Sequence, residues 1–359
     1  MNKRLLFITH QLSRTGAPIV LLDMIRICHH AGAEISVITL LDGELRSELE
    51  RMNIPVIVQD DFVKRWNEFQ IYCRDFDIVI ANTLLTYQVI HVLNNTMTPV
   101  LWWLHEGEQY FEYFKTVLPD FQKLGQNIFV YPVSAYVQQV LQRRYGFNSS
   151  ILPFGIQEET GNTTVSSYYN RIDKDHKKTR FLTAGTYSNV KGQDFLAAAI
   201  RALPEDVRRT CSFLFCGNEE MCDADVFRAV EDLCLDFPDE VFKLPAQPRN
   251  TVLKLMQDCD YLLIPSRVEP LPTVAIEAMM MSTPSILSDI CGVSYYLTHG
   301  ENAFLFRSED VTALTTAIND AVKLREYESY DFVCANARQV YDEVFSYKKF
   351  TQTVLTLLG

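Results

Sequence analysis

Residues 260–281 read DYLLIPSRVEPLPTVAIEAMMM, and the order of elements in this stretch decides the fold class. The apolar run 260–265 has the composition of a strand buried on both faces, and 273–281 (TVAIEAMMM) that of a helix. Pro270 and Pro272 stand between them. Proline blocks earlier helical growth, and Pro272 suits a first helical position. A buried strand feeding directly into a helix is half of a βα unit. Glu269 then falls in the loop at the strand's C-terminal end, and Glu277 about one turn inside the helix. The amides of Thr273 and Val274 lie between the two carboxylates, where the helix macrodipole favours a phosphate. The element offers carboxylates for sugar hydroxyls and a cradle for a diphosphate, a combination that suits a nucleotide-sugar.

The surrounding chain has 359 residues, more than one hydrophobic core usually serves, so two domains are expected. With 48% apolar and 22% charged residues it is globular in composition. A net charge of −12 and a pI near 5.1 argue against a nucleic-acid partner and predict repulsion from anionic membranes unless basic residues cluster. No apolar run approaches the roughly 20 residues that span a bilayer. The start, MNKRLLFITH, reads as a first core strand rather than a signal peptide, because polar residues follow at once. Nine cysteines run from Cys28 to Cys334 without a Cys-x-x-Cys, the pattern of reduced thiols in a cytoplasmic protein. No His/Cys/Asp cluster has metal-ligand spacing, so neither a metal nor another cofactor is expected.

Working outward, strands are expected at 4–10, 34–41, 54–59, 77–83, 99–105, 128–134 and 151–156, with helices such as 18–30 and 43–52 between them. The polar stretch 157–178 breaks this rhythm and reads as a linker. Alternation restarts with strands at 180–184, 212–216, 241–244, 260–265 and 284–287, and from about Ser308 the chain is helical. Two doubly wound α/β domains follow, placed at 1–160 and 161–340, with 341–359 as a final helix.

In such sheets ligands sit beyond the C-terminal strand ends. After the first strand, Thr9-His10-Gln11-Leu12-Ser13-Arg14-Thr15-Gly16-Ala17-Pro18 opens a helix with one glycine, without the Gly-x-Gly-x-x-Gly spacing of dinucleotide binders. After the fifth, Trp102-Trp103-Leu104-His105-Glu106-Gly107-Glu108 puts a histidine at the strand end beside two carboxylates, one of which would orient the imidazole and keep it partly protonated. Trp102 and Trp103 read as core. Tyr110, Phe111, Tyr113 and Phe114 read as one buried helix face, with an acceptor or lipid surface as the other reading. Past the linker, Gly185-Thr186-Tyr187-Ser188-Asn189-Val190-Lys191-Gly192 follows a strand, and its lysine is suited to counter a diphosphate.

The Glu269/Glu277 pair resembles the Glu-x7-Glu signature of the retaining, family 4 type glycosyltransferases, which adopt the GT-B fold: α/β, two doubly wound Rossmann-like domains with an interdomain cleft. The matches run in order from Gly16 to Asn302. The resemblance implies an N-terminal acceptor-side domain, a C-terminal nucleotide-sugar domain, and a last helix packing back on the first. It implies His105 and Glu269 as catalytic contacts to the donor sugar. The donor-binding set it implies is Gly16, Arg14, Gly185, Lys191, Gly217, Arg267, Leu271, Thr273, Val274 and Glu277, with Glu277 on the ribose and no metal. The family's Gly-Arg-x(4–5)-Lys-Gly is matched by Gly185, Lys191 and Gly192, but Thr186 stands where Arg is usual; Arg267 is the candidate replacement.

The implied activity is retaining sugar transfer from a nucleoside-diphosphate sugar to a glycan, lipid-linked or protein acceptor, in cell-surface polysaccharide synthesis. The alternatives are a sugar-nucleotide epimerase or phosphorylase of the same fold, or a silent partner subunit. Lys123, Arg143 and Arg144 offer peripheral contact with the inner membrane face, or a solvated helix surface.

Overall fold

A computed structural model describes residues 1–59, 66–159, 168–173, 177–219 and 222–359. The chain divides into two compact units: Met1–Ile156 with Tyr347–Gly359, and Gln157–Ser346.

The first unit is built on six parallel strands: β1 (Arg4–Gln11), β2 (Glu34–Leu41), β3 (Val56–Val58), β4 (Ile78–Asn82), β5 (Val100–Leu104) and β6 (Ile128–Pro132). Their order across the sheet is β3-β2-β1-β4-β5-β6. Leu5, Leu6, Phe7 and Ile8 are all fully buried, so β1 has no wet face, as a central parallel strand requires. Trp102 and Trp103 are also fully buried, and each finds an acceptor for its indole N–H, the carbonyls of Thr83 (2.9 Å) and Leu152 (2.8 Å). The helix Tyr347–Leu358 joins this unit: Phe350 stacks on Trp103 at 6.0 Å, and the Tyr347 N–H donates to the Ile156 carbonyl at 3.0 Å.

The expected strand at 151–156 is a correction, since those residues join neither sheet. Leu152 and Ile156 are apolar because they pack beneath the first unit's core, and Leu152 spends its backbone groups on Pro132 and the Trp103 indole. Within the stretch 157–178 read as a linker, residues 160–167 and 174–176 lie outside the described ones. The described part holds the helical turn Tyr169–Ile172, whose buried Tyr169 hydroxyl donates to the Phe181 carbonyl at 3.0 Å.

The second unit repeats the plan with β7 (Thr179–Ala184), β8 (Cys211–Gly217), β9 (Val241–Pro245), β10 (Tyr261–Ile264), β11 (Ser285–Ser288) and β12 (Ala303–Phe306), all parallel. The order is β12-β11-β10-β7-β8-β9. Phe181, Phe213 and Tyr261 stack across β7, β8 and β10 with centroids 4.9 and 5.7 Å apart. Sequence reading passed over β12, whose AFLF is four residues long between polar flanks. The nine cysteines are free thiols, six of them buried.

Candidate functional site

In both sheets the first strand of the unit lies beside its fourth, and the connections wind away in opposite directions on either side. The gap at the C-terminal ends of those two strands is where open α/β sheets bind ligands. In the second unit the two strands are β7 and β10, and the loops leaving them carry Lys191 and Glu269.

The structure brings these two residues together: Lys191 Nζ donates to Glu269 Oε2. Their loops are stitched to each other. The Arg267 N–H donates to the Val190 carbonyl at 2.8 Å, and the Glu269 carbonyl accepts from Gly292 N–H at 2.8 Å. Buried Gln193 ties the 185–192 loop internally, accepting from Ser188 N–H and donating to the Thr186 carbonyl at 3.2 and 3.0 Å. The glycines permit close approach. A Cβ on Gly217 would lie 2.2 Å from the Gly185 carbonyl oxygen, and one on Gly192 (φ +72°) 2.2 Å from that of Pro265.

Glu277 takes a different partner. It is buried in the helix Thr273–Met280 and accepts from Arg249 Nε at 2.8 Å, while Arg249 also donates to Glu159. Burial raises the Glu277 carboxyl above its ordinary range, against the pull of Arg249. Nothing in the local sequence links Arg249 to a carboxylate 28 residues away. Thr273 and Val274 open that helix with no side-chain cap, so their N–H groups have no acceptor within it; Leu271 is buried just ahead of them. Arg267 has other obligations: both its terminal nitrogens bond the Asp194 carboxylate, at 2.9 and 2.8 Å, and it reaches the Asn189 carbonyl. Thr186, which occupies the place of the expected arginine, is exposed.

In the first unit Gly16 begins the helix Gly16–His30 with open space around it, while Arg14 donates to Glu48 at 2.6 Å. His105 sits at the end of β5, half-buried, with Nε2 enclosed and without a partner. Burial and His10 nearby push the His105 pKa down to about 3, which runs against the expected partial protonation. The neighbouring carboxylate serves the backbone instead. Glu106 Oε2 accepts from Leu84 N–H at 2.9 Å and His105 N–H at 3.0 Å. Thr83 has φ +76°, a conformation costing a β-branched residue about 1–3 kcal/mol, and this web of bonds holds it there.

Burial pushes Glu106 up to about 7 and His10 down to about 4, from ordinary values of 4.5 and 6.5. The signs oppose. Between about pH 4 and 6.5 the unfolded chain binds protons that the buried histidines refuse, so stability rises with pH. Between 4.5 and about 7 the folded carboxyl holds a proton the unfolded one has lost, so stability falls. Glu106→Gln keeps an oxygen for both amides and removes only the falling contribution. Urea unfolding across pH 4.5–6.5 is expected to show a steeper gain with pH in the variant; an unchanged slope would mean the carboxyl titrates normally.

The aromatic run is not one buried face. Phe111 is fully buried, but Tyr113 is 80% exposed and Tyr110 is 45% exposed, because the short helix Glu108–Tyr113 shows its other side to solvent. Arg143 pairs with Glu108, Arg144 with Glu108 and Glu112, and Lys123 with Asp120, so these cations carry their own counter-charges. Among the described residues no helix is long and apolar enough to cross a membrane.

Several solved structures share this architecture. HepE of Anabaena, solved with UDP, matches with a TM-score of 0.80 at 18% identity, covering 99% of each chain. WaaG, a glycosyltransferase involved in lipopolysaccharide biosynthesis, matches at 0.69 and 15% identity over 99% of this chain and 100% of that one. These likenesses establish a GT-B fold of two Rossmann-like domains. Among curated relatives, the uncharacterized glycosyltransferase MJ1607 of Methanocaldococcus jannaschii is 25% identical over 189 residues, 52% of this chain and 45% of its own. A D-inositol 3-phosphate glycosyltransferase of Stackebrandtia nassauensis is 26% identical over 144 residues, 39% of this chain and 32% of its own. The chain thus spans less than half the length of these curated relatives. Residues 1–140 match glycosyl-transferase family 4 and residues 167–340 match the glycosyl transferases group 1.

Proposed function

We propose that the chain is a retaining, metal-independent glycosyltransferase that takes a sugar from a nucleoside diphosphate, with a uridine diphosphate sugar as first candidate. The observation that carries this is the Lys191–Glu269 pair at the β7/β10 switch point. Such a pair places a cation for the diphosphate beside a carboxylate for sugar hydroxyls. The helix-opening amides of Thr273 and Val274 add uncharged donors from the same segment. Glu277, held by Arg249, takes the ribose hydroxyls. Arg267, Gly185, Gly217 and Leu271 shape and brace the loops. The roles of Arg14, Gly16 and His105 as donor contacts rest on the family resemblance.

Stereochemical retention follows if the leaving phosphate, on the face that the acceptor attacks, takes the acceptor's proton through an oxocarbenium-like transition state. Preorganised charge at the diphosphate is then the main catalytic contribution. HepE was solved with UDP-glucose as well as UDP, and WaaG is involved in lipopolysaccharide biosynthesis, which favours a uridine nucleotide and a cell-surface glycan product. A cytoplasmic enzyme meeting a lipid-linked acceptor at the inner membrane face fits that product.

Isothermal titration with UDP, GDP and TDP tests the reading. One of them is expected to bind, and mass spectrometry is expected to show sugar released or transferred from the matching nucleotide-sugar. Binding of none would favour a silent subunit. Consumption without transfer or hydrolysis, yielding an isomeric nucleotide-sugar, would favour an epimerase.

A further inference from the structure

Three charged side chains of the second unit are linked through Arg249, the first residue of the helix Arg249–Asp258 that follows β9. Its Nε–H donates to Glu277 Oε1 at 2.8 Å, and a terminal nitrogen donates to Glu159. The two carboxylates differ in setting: the Glu277 side chain is 12% exposed and that of Glu159 45%. The guanidinium therefore commits one oxygen of the buried carboxylate and fixes its direction. The other, Oε2, has no protein partner among the described residues, and it is not one of the enclosed unpartnered atoms, so it keeps access to solvent. A buried carboxylate kept only for the fold would have both oxygens satisfied.

We infer that Arg249 is a positioning residue for the nucleotide: by holding Oε1 of Glu277 it presents Oε2 to the ribose, so that affinity for the nucleotide depends on the ribose diol through this pair. The inference rests on the nucleotide-sugar reading above. An anionic oxygen repels phosphate and attracts a hydroxyl donor, which selects the sugar of the nucleotide over its diphosphate. The guanidinium acts through charge as well as direction. Burial raises the Glu277 carboxyl, Glu159 adds to the rise, and Arg249 opposes both. Without Arg249 the carboxyl keeps its proton to higher pH and becomes a poorer acceptor. The other cations on the helices packed here are engaged elsewhere: Lys254 with Asp258, and Arg338 with Glu158, Asp342 and the Met280 carbonyl.

Isothermal titration with UDP and with 2′,3′-dideoxy-UDP isolates the diol, because the two ligands share base and diphosphate. The wild type is expected to bind UDP roughly tenfold more tightly or better, as a hydrogen bond to a charged group implies. Arg249→Met is expected to bring that ratio below about threefold, and Arg249→Lys to restore most of it. Raising the pH should recover more of the ratio in Arg249→Met than in the wild type, since the carboxyl then ionises; titration of the phosphate is common to both ligands and cancels. An arginine that only braces the fold would weaken both ligands together and leave the ratio intact. That result overturns the inference, as does a wild type that binds the two alike. If Arg249→Met fails to fold, Arg249→Gln, which keeps a donor without the charge, carries the same comparison. Tight UDP binding with an unchanged ratio sinks this inference alone. Failure of the wild type to bind UDP sinks the uridine-donor reading instead; GDP and its dideoxy form then carry the comparison, and binding of neither overturns the inference as well.

Discussion

Lys191→Ala is expected to lower sugar transfer by roughly 100- to 1000-fold, the ~2.7–4 kcal/mol that one preorganised donor contributes to a developing charge. The side chain is one-third exposed and its main partner is Glu269, so its removal takes away the loop's cation and leaves a mostly buried carboxylate unpaired. A free diphosphate then meets that carboxylate without an intervening positive charge, and binding weakens along with turnover. The fold is expected to survive. The 185–192 loop keeps its Ser188–Lys191 turn, the Gln193 bridge and the Arg267–Val190 backbone bond, none of which needs the ammonium group. Turnover of UDP-glucose and a melting curve, taken on the same preparation, check this. Wild-type turnover with an unchanged melting point would remove Lys191 from the site. Lys191→Arg is expected to recover part of the loss, since it restores the charge but not the compact point donor.

How much of this was legible in the sequence differs by residue. Lys191 and Glu269 announced themselves because each follows a strand with strong apolar signal, and two parallel strands of one sheet must bring such loops to the same edge. The Arg249–Glu277 pair gave no such sign: the arginine enters from a helix start whose only local mark is Pro248. Thr83 and His10 were hidden for another reason. Each is an ordinary residue at a strand end, and only the order β3-β2-β1-β4-β5-β6 makes β1 and β4 neighbours across the switch point. The expected role of Glu106 failed on chemistry rather than position, because a buried carboxylate beside free backbone amides caps them before it orients a ring. Arg267 was read as a spare cation since its bidentate partner, Asp194, lies 73 residues earlier. Strand 151–156 failed because apolar content alone does not say whether a segment joins a ladder or merely covers a core.

Gly192→Ala is expected to be the most damaging single methyl in the second unit. Gly192 sits at φ +72°, ψ 25°, immediately before the helix Gln193–Ala202, and an alanine there costs about 1–2 kcal/mol from backbone alone. Its new Cβ would also stand 2.2 Å from the Pro265 carbonyl oxygen and 3.1 Å from its carbon, contacts with rigid backbone that no rotamer relieves. Separation of the β7 and β10 loops is the way out, and that pulls Lys191 away from Glu269. A combined loss of roughly 3 kcal/mol or more is expected, and for a unit of this size it lowers Tm by about 2–4 °C per kcal/mol. Gly16→Ala is the matched control for stability. It opens a helix with nothing within 4 Å of the added methyl, so its melting point is expected to stay near wild type. Two melting curves and a UDP titration settle the comparison. If Gly192→Ala melts with Gly16→Ala and binds UDP normally, the close packing of these two loops does not hold the site together, and the pairing of Lys191 with Glu269 must be maintained by something else.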